Sequence, residues 1–181
     1  ASYRDRWWLF GEARGALRAA WAGLGRFIMT PETSKHRVFA WAPMGVVPDH
    51  KLYAITAQEA WFMGVLQSSA HCGWATRAGG RLGVGNDPVY NNTRCFLTFP
   101  FPDASPEQRA AIAAAADALI AFREAAQARS PELTLTAIYN LLAARRAGEK
   151  LTGKQAKLHT LLATDELLAL HDRLDAAVLA A

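Results

Sequence analysis

Apolar and polar positions change rhythm partway along the 181 residues. In the first hundred, short β-prone runs alternate with turn formers and with stretches of helical period. Gly11 to Leu24 places Leu17, Trp21 and Leu24 at helical spacing and predicts an amphipathic helix. Arg26 to Met29, Arg37 to Trp41 and Lys51 to Ile55 read as strands, with Ala42-Pro43-Met44-Gly45 as a turn between the last two. Thr56-Ala57-Gln58-Glu59 fits a capping box that opens a helix from about Gln58 to Gln67, burying Ala60, Trp61, Val65 and Leu66. A second helical stretch covers His71 to Ala78. Strands and helices mixed without a repeating strand–helix period predict an α+β unit rather than a doubly wound sheet.

After Phe101 alanine and leucine dominate and tryptophan disappears. Ser105-Pro106-Glu107-Gln108 supplies a cap, a first-turn proline and the capping-box partner. The face that follows runs Ile112, Ala116, Leu119 and then Phe122 or Arg123, to about Ala128. Ser130-Pro131-Glu132 predicts the start of another segment, whose face carries Ile138, Leu141 and Leu142. Thr152-Gly153-Lys154-Gln155 offers a third capping box, and Thr164 a cap for a last helix through Leu167, Leu170, Leu174 and Val178. The reading is therefore an α+β domain over 1–102, then a small all-α helical bundle over 103–181.

Between the two lies Gly79 to Pro102, GGRLGVGNDPVYNNTRCFLTFPFP. So many turn formers argue against a buried helix or central strand. The expectation is an exposed loop or edge that presents Asn86, Asp87, Tyr90, Asn91, Asn92 and Arg94 to a partner. Phe-Pro-Phe-Pro then supplies apolar anchors at the seam.

Charge sharpens this picture. Residues 1–100 hold eleven Lys and Arg against six Asp and Glu, whereas 101–181 hold nine against ten. The basic half contains the unusual loop, which points to an anionic partner, nucleic acid first. An excess of five over a hundred residues is also compatible with an ordinary surface. At 51% hydrophobic and 20% charged, the chain can bury a core and is not compositionally disordered. No apolar run reaches membrane-spanning length, so no membrane partner is expected. The opening ASYRDRWWLFGE lacks signal-peptide order and reads as a chain entered in its middle.

Catalytic signals are weak. The two cysteines, Cys72 and Cys95, form no Cys-x-x-Cys and fit reduced thiols in a cytoplasmic protein. His71 beside Cys72 is the nearest approach to a metal pair, and no metal is expected. The glycines of 79–85 lack the Gly-Lys-Ser/Thr ending of a Walker loop, and Asn86-Asp87-Pro88 opposes an immediate helix. Asn86-x-Pro88-x-Tyr90 resembles the Asn-Pro-Pro-Tyr tetrad only superficially, because its groups are not contiguous. No nucleophile–base set assembles, His171 sits on an apolar helix face, and Glu59 is explained by its cap.

What remains is polar. Thr30, Glu32, Lys35, His36 and Arg37 form one cluster; Lys51, Arg77 and Arg81 add cations. Arg and Lys pair with guanine or phosphate, Asn with adenine, and carboxylates with cytosine. For Lys35 and Arg37 a solvated strand face is the competing explanation.

Six phrases in order resemble the target-recognition and C-terminal helical regions of the MmeI-like (type IIL) restriction-modification DNA methyltransferases. They are RFIMTPETSKHRVF (Arg26 to Phe39), GVVPDHKLYAI (Gly45 to Ile55), GVLQSSAHCGWA (Gly64 to Ala75), the Gly79 to Pro102 segment, LTLTAIYNLL (Leu133 to Leu142) and LHDRLDAAVLAA (Leu170 to Ala181). The resemblance implies a double-stranded-DNA-reading fragment whose upstream methyltransferase domain holds S-adenosylmethionine and methylates adenine at N6. It implies no cofactor and no catalysis in this fragment. It points to Asn86, Asp87, Tyr90, Asn91 and Arg94 as base readers. Thr30, Glu32, Lys35, His36 and Arg37 are secondary contacts. A protein-interaction module without DNA binding is the alternative.

Overall fold

The computed structural model describes residues 3–7, 15–84, 87–151 and 153–181. A short helix α1 (Gly15–Trp21) leads into strand β1 (Arg26–Pro31), which is the centre of a three-stranded antiparallel sheet in the order β2-β1-β3. β2 (Ala40–Pro43) and β3 (Leu52–Ile55) flank it, with Ile28 opposite both Trp41 and Ile55. β1 is paired along both edges, and the neighbouring Phe27 and Ile28, which point to opposite faces, are both buried, as is Thr30. β2 begins three residues later than the apolar run predicts. Residues before it are held by side-chain hydrogen bonds rather than by the ladder, because Thr30 and Gln67 take up Val38 O, Arg37 O and Phe39 N. Of the predicted first helix, residues 11–14 lie outside the described residues.

Two helices follow, α2 (Ala60–Gln67) and α3 (Ser69–Ala78). The capping box expected at Thr56 does not form. Glu59 itself is the N-cap, with no side-chain cap, and its carboxylate accepts from the Gln58 amide at 3.1 Å. Helix α2 thus starts two residues late and buries Met63 to Gln67, while Ala60 and Trp61 are half-buried. Ser68 caps α3 by accepting from the His71 amide.

The Gly79 to Pro102 segment is a two-stranded hairpin followed by a turn. Strands β4 (Gly80–Leu82) and β5 (Asp87–Val89) pair antiparallel, Arg81 opposite Pro88 and Leu82 opposite Asp87. An isolated bridge from Thr33 to Val89 attaches the hairpin to the loop after β1. Asn91 then caps a single π-helical turn, Asn92–Phe96.

The helical part opens as its cap predicts. Ser105 accepts from the Gln108 amide, the Gln108 side chain accepts from the Ser105 amide, and Pro106 begins α4 (Pro106–Arg129). Helix α5 (Leu135–Arg146) is capped by Thr134 and not by Ser130, since residues 131–132 form a turn. Helix α6 spans Lys154–Leu162, and Thr152 of the predicted third capping box lies outside the described residues. Thr164 is the first residue of α7 (Thr164–Leu179) and does not cap it. Ala163, in the left-handed region at φ 56°, makes the corner instead.

Across the predicted boundary the packing is continuous. One buried cluster unites Val38 and Val65 with Ile112, Leu119 and Leu174; the other joins Phe39, Met63 and Tyr90 to Ile120 of α4. Gly64 permits the close approach of α2 to α4, because a Cβ there would meet Ile112 Cγ2 at 2.6 Å. Phe101 lies 4.9 Å from Phe62 in a stacked pair, and Phe99 packs edge-on to His71 at 4.7 Å. The Phe-Pro repeat therefore anchors the seam.

Candidate nucleic-acid interface

The structure divides the predicted polar residues into two groups. The first group is consumed by the fold. Thr30 is 0% exposed; its hydroxyl donates to Val38 O at 2.9 Å and accepts from Arg37 Nη1 at 3.0 Å. Arg37 also donates through Nη1 to Pro31 O, and through Nη2 to Glu32 O (3.3 Å) and Pro88 O (3.5 Å). Its guanidinium rests 4.9 Å over the Tyr90 ring. Burial lowers its pKa, and every acceptor it has found is neutral. Arg37 staples β1, the loop after it and the hairpin.

Tyr90 is the clearest correction to the expected presenting loop. It is 1% exposed, packed edge-on against Phe39 and Tyr53, each at 5.7 Å. His71 Nδ1 faces Leu66 O at 2.9 Å and must donate to it, which leaves Nε2 to accept from the Tyr90 hydroxyl at 3.2 Å. Burial, reinforced by the nearby Arg37 charge, holds His71 down to about 4. Burial likewise pushes the Tyr90 phenol up. Thr30, Arg37 and Tyr90 therefore leave the set of contact residues, since none can reach a partner without unpairing a buried group. Asn91 is half spent as well: Oδ1 accepts from the Thr93 amide (2.9 Å), the Thr93 hydroxyl (2.6 Å) and the Arg94 amide (3.2 Å).

The second group faces outward. Arg81 and Asp87 stand on the hairpin, Arg77 in the last turn of α3, and Arg94 on the π turn. Among the described residues the Arg94 guanidinium has no hydrogen-bond partner. At the hairpin tip Gly83 takes φ 63°, and Val84 is 98% exposed. Asn86 lies outside the described residues. Glu32 and Lys51 sit apart, paired with each other at 3.0 Å beside β3.

Lys35 and His36 do something the sequence did not announce. Both contact Asn140 Oδ1 of α5, at 2.7 and 2.9 Å, so the loop after β1 is fastened to the helical unit. Below them runs a buried polar network. Arg123, 4% exposed, donates to Gln67 Oε1 (3.1 Å), Phe39 O (3.1 Å) and the Tyr139 hydroxyl (3.0 Å). The Tyr139 hydroxyl in turn donates to His171 Nε2 at 3.2 Å. Burial and the charges of Arg146 and Arg123 hold His171 at about 3.

Between the loop, α3, α5 and α7 opens a cleft of about 540 Å³. Lys35, Arg37, Arg77, Arg81 and Arg146 supply its cations, and His36 and His171 its imidazoles. Arg146 escaped the sequence reading, because Arg145-Arg146 at a helix end is what the helix dipole favours anyway. Cys72 also lines the cleft, but burial pushes its thiol up to about 12, which disqualifies it as a nucleophile. A smaller apolar pocket of about 360 Å³ lies between β1 and α5. No group of three His, Cys, Asp or Glu able to hold a metal occurs among the described residues.

A hairpin and an exposed arginine on the turn after it thus stand beside a small sheet, braced by a helical bundle. Residues 25–103 match the family model of the MmeI target recognition domain. Over those residues the chain is similar to the MmeI target recognition domain. A solved chain of the type IIL restriction-modification enzyme MmeI in complex with DNA is similar at 25% sequence identity and a TM-score of 0.58. That match covers 84% of this chain, so it reaches into the helical part; this chain spans 18% of the length of the other. No curated protein matches the chain.

Proposed function

We propose that this chain is the duplex-reading part of a site-specific DNA methyltransferase of a restriction-modification system. The observation that carries the reading is the match of residues 25–103 to a target recognition domain. The geometry supports it. A two-stranded ribbon such as β4–β5 fits the major groove, about 12 Å wide. Arg81 and Asp87 stand on that ribbon, with Arg94 just beyond it. Those three are the proposed base readers, and Asn91 positions Arg94 by capping its turn. Lys51 and Glu32, paired and off to one side, are assigned no base.

Methyl transfer to adenine N6 is assigned to a methyltransferase region elsewhere in the parent enzyme, where S-adenosylmethionine would bind. This chain's contribution is to select and orient the duplex. Its setting is the cytoplasm, with the DNA. No helix among the described residues is long and apolar enough to cross a membrane.

Selection of bound duplexes from a randomised pool tests the reading. The chain should enrich one short motif, and Arg94→Ala should relax preference at one position by about 1–3 kcal/mol. Recovery of a pool with no enriched motif would refute it.

A further inference from the structure

The basic cleft shares Arg81 alone with the proposed base readers and is built from both halves of the chain. We infer that it is a clamp for the phosphodiester backbone of the duplex, and that Arg146 of the helical unit is one of its phosphate-binding residues. The inference rests on the proposed DNA-reading function and adds a second surface, and a second segment of the chain, to it.

Besides Arg37, whose donors are given to main-chain carbonyls of the fold, four cations line the cleft, and no carboxylate does so among the described residues. They come from separate elements: Lys35 from the loop after β1, Arg77 from α3, Arg81 from β4 and Arg146 from the end of α5. Converging cations on low-dielectric walls focus a positive field. His171, kept neutral partly by the Arg146 charge, registers that field at the cleft wall. Two acids of α7 stand beside the cleft and weaken that field without lining it. Asp175 accepts from the Ser69 amide at 2.7 Å, and Asp172 stays 3.9 Å from Arg146 in an exposed, loosely paired geometry.

Position identifies the anion. Arg81 belongs at once to the cleft and to the hairpin proposed to enter the groove. A strand whose bases are read by the hairpin must carry its phosphates past the hairpin's flank, where this cleft opens. Phosphate contacts of this kind fix register and orientation without conveying sequence. The Lys35 and His36 contacts to Asn140 fasten the two walls together, so the clamp is set before DNA arrives.

The test is a salt series. Affinity of the full chain is measured for its selected duplex and for a scrambled one. Arg146→Ala should weaken both by about tenfold. It should reduce the slope of log K against log salt by about 0.9, and leave the ratio between the duplexes unchanged. Arg77→Ala, on the opposite wall, should do the same. Arg145→Ala is the control: it points to Asp165 at 2.6 Å, does not line the cleft, and should stay within about twofold of wild type. An unchanged slope in both Arg146→Ala and Arg77→Ala would overturn the clamp, as would an equal loss in Arg145→Ala or a loss confined to the selected duplex. Failure of the unaltered chain to retain any duplex would instead sink the DNA-reading function, and the clamp with it. Thermal melting of each variant separates lost contacts from lost fold.

Discussion

Arg123 and Arg94 are chemically the same side chain put to opposite uses. Arg123 lies at the seam with its donors spent on Gln67, Phe39 and Tyr139, none of them charged. Arg94 stands on the turn beyond the hairpin with its donors open to whatever approaches. The seam has removed Arg123 from water and satisfied it internally; the turn beyond the hairpin has left Arg94 to be satisfied from outside. A buried group without its partner costs free energy in the isolated protein, whereas an exposed one does not. Substitutions should therefore separate the regions cleanly: seam changes alter stability, and hairpin changes alter selectivity.

Acid should test the seam hardest. His71 and His171 are neutral in the fold, held at about 4 and about 3, against an ordinary value of 6.5. Below pH 6.5 the unfolded chain takes up protons that the folded chain refuses. Stability is complete above 6.5, falls as pH drops, and stops falling once each folded value is passed. Each histidine contributes a slope of about 1.4 kcal/mol per pH unit, so the joint loss is on the order of 5 kcal/mol near pH 4.5. Urea midpoints followed by circular dichroism should show this decline. His71→Gln combined with His171→Gln should flatten it. A flat profile in the wild type would mean that the seam admits protons and is not the closed region described.

Arg123→Ala comes next. It strands Phe39 O in a buried space and takes one donor each from Gln67 Oε1, which keeps the Phe39 amide, and the Tyr139 hydroxyl, which keeps His171. The expected loss is about 3–5 kcal/mol, read as a lower melting temperature. The hairpin counterpart, Arg94→Ala, should stay within about 0.5 kcal/mol of wild type. Equal losses would erase the distinction between the regions.

How far this division was legible in the sequence depended on range. The capping box of α4 is complete within Ser105 to Gln108, and a local signal of that kind predicts itself correctly. Thr56 and Glu59 offered the same spacing and formed no box, because the chain turns tightly at Thr56, the Ala57 amide bonding back to Ile55 O. Arg37 and Tyr90 had the composition of contact residues. Their partners are Pro88 O, 51 residues away, and His71, 19 residues away, and no local pattern encodes those distances. Arg81, Asp87 and Arg94 were singled out by residue type and by their turn-rich setting; in the fold Arg81 and Arg94 are exposed and Asp87 is half-buried. Asn140 and Arg146 were missed for the opposite reason. Each sits on a helix whose sequence explains it without reference to a partner.

A smaller loss than that of Arg123→Ala is expected where the two regions join. Gly79 ends α3 and starts the hairpin. A Cβ there would run into Val89 O, and would approach Ala75 O to 2.7 Å and Cys95 Sγ to 3.1 Å. The two carbonyls are main chain and cannot swing aside like the tip of a flexible side chain. Gly79→Ala must instead push β5 or the end of α3, at a cost of about 1–3 kcal/mol. Gly80 is the internal control: nothing lies within 4 Å of its notional Cβ, so Gly80→Ala should melt within about 0.5 kcal/mol of wild type. Because the shift at Gly79 moves the hairpin against α3, it should also weaken selection at the hairpin's base pairs while leaving the salt slope intact. Loss of stability without loss of selectivity would show that the hairpin reads DNA independently of how it is seated. Loss of both would tie the reading surface to the seam through this one glycine.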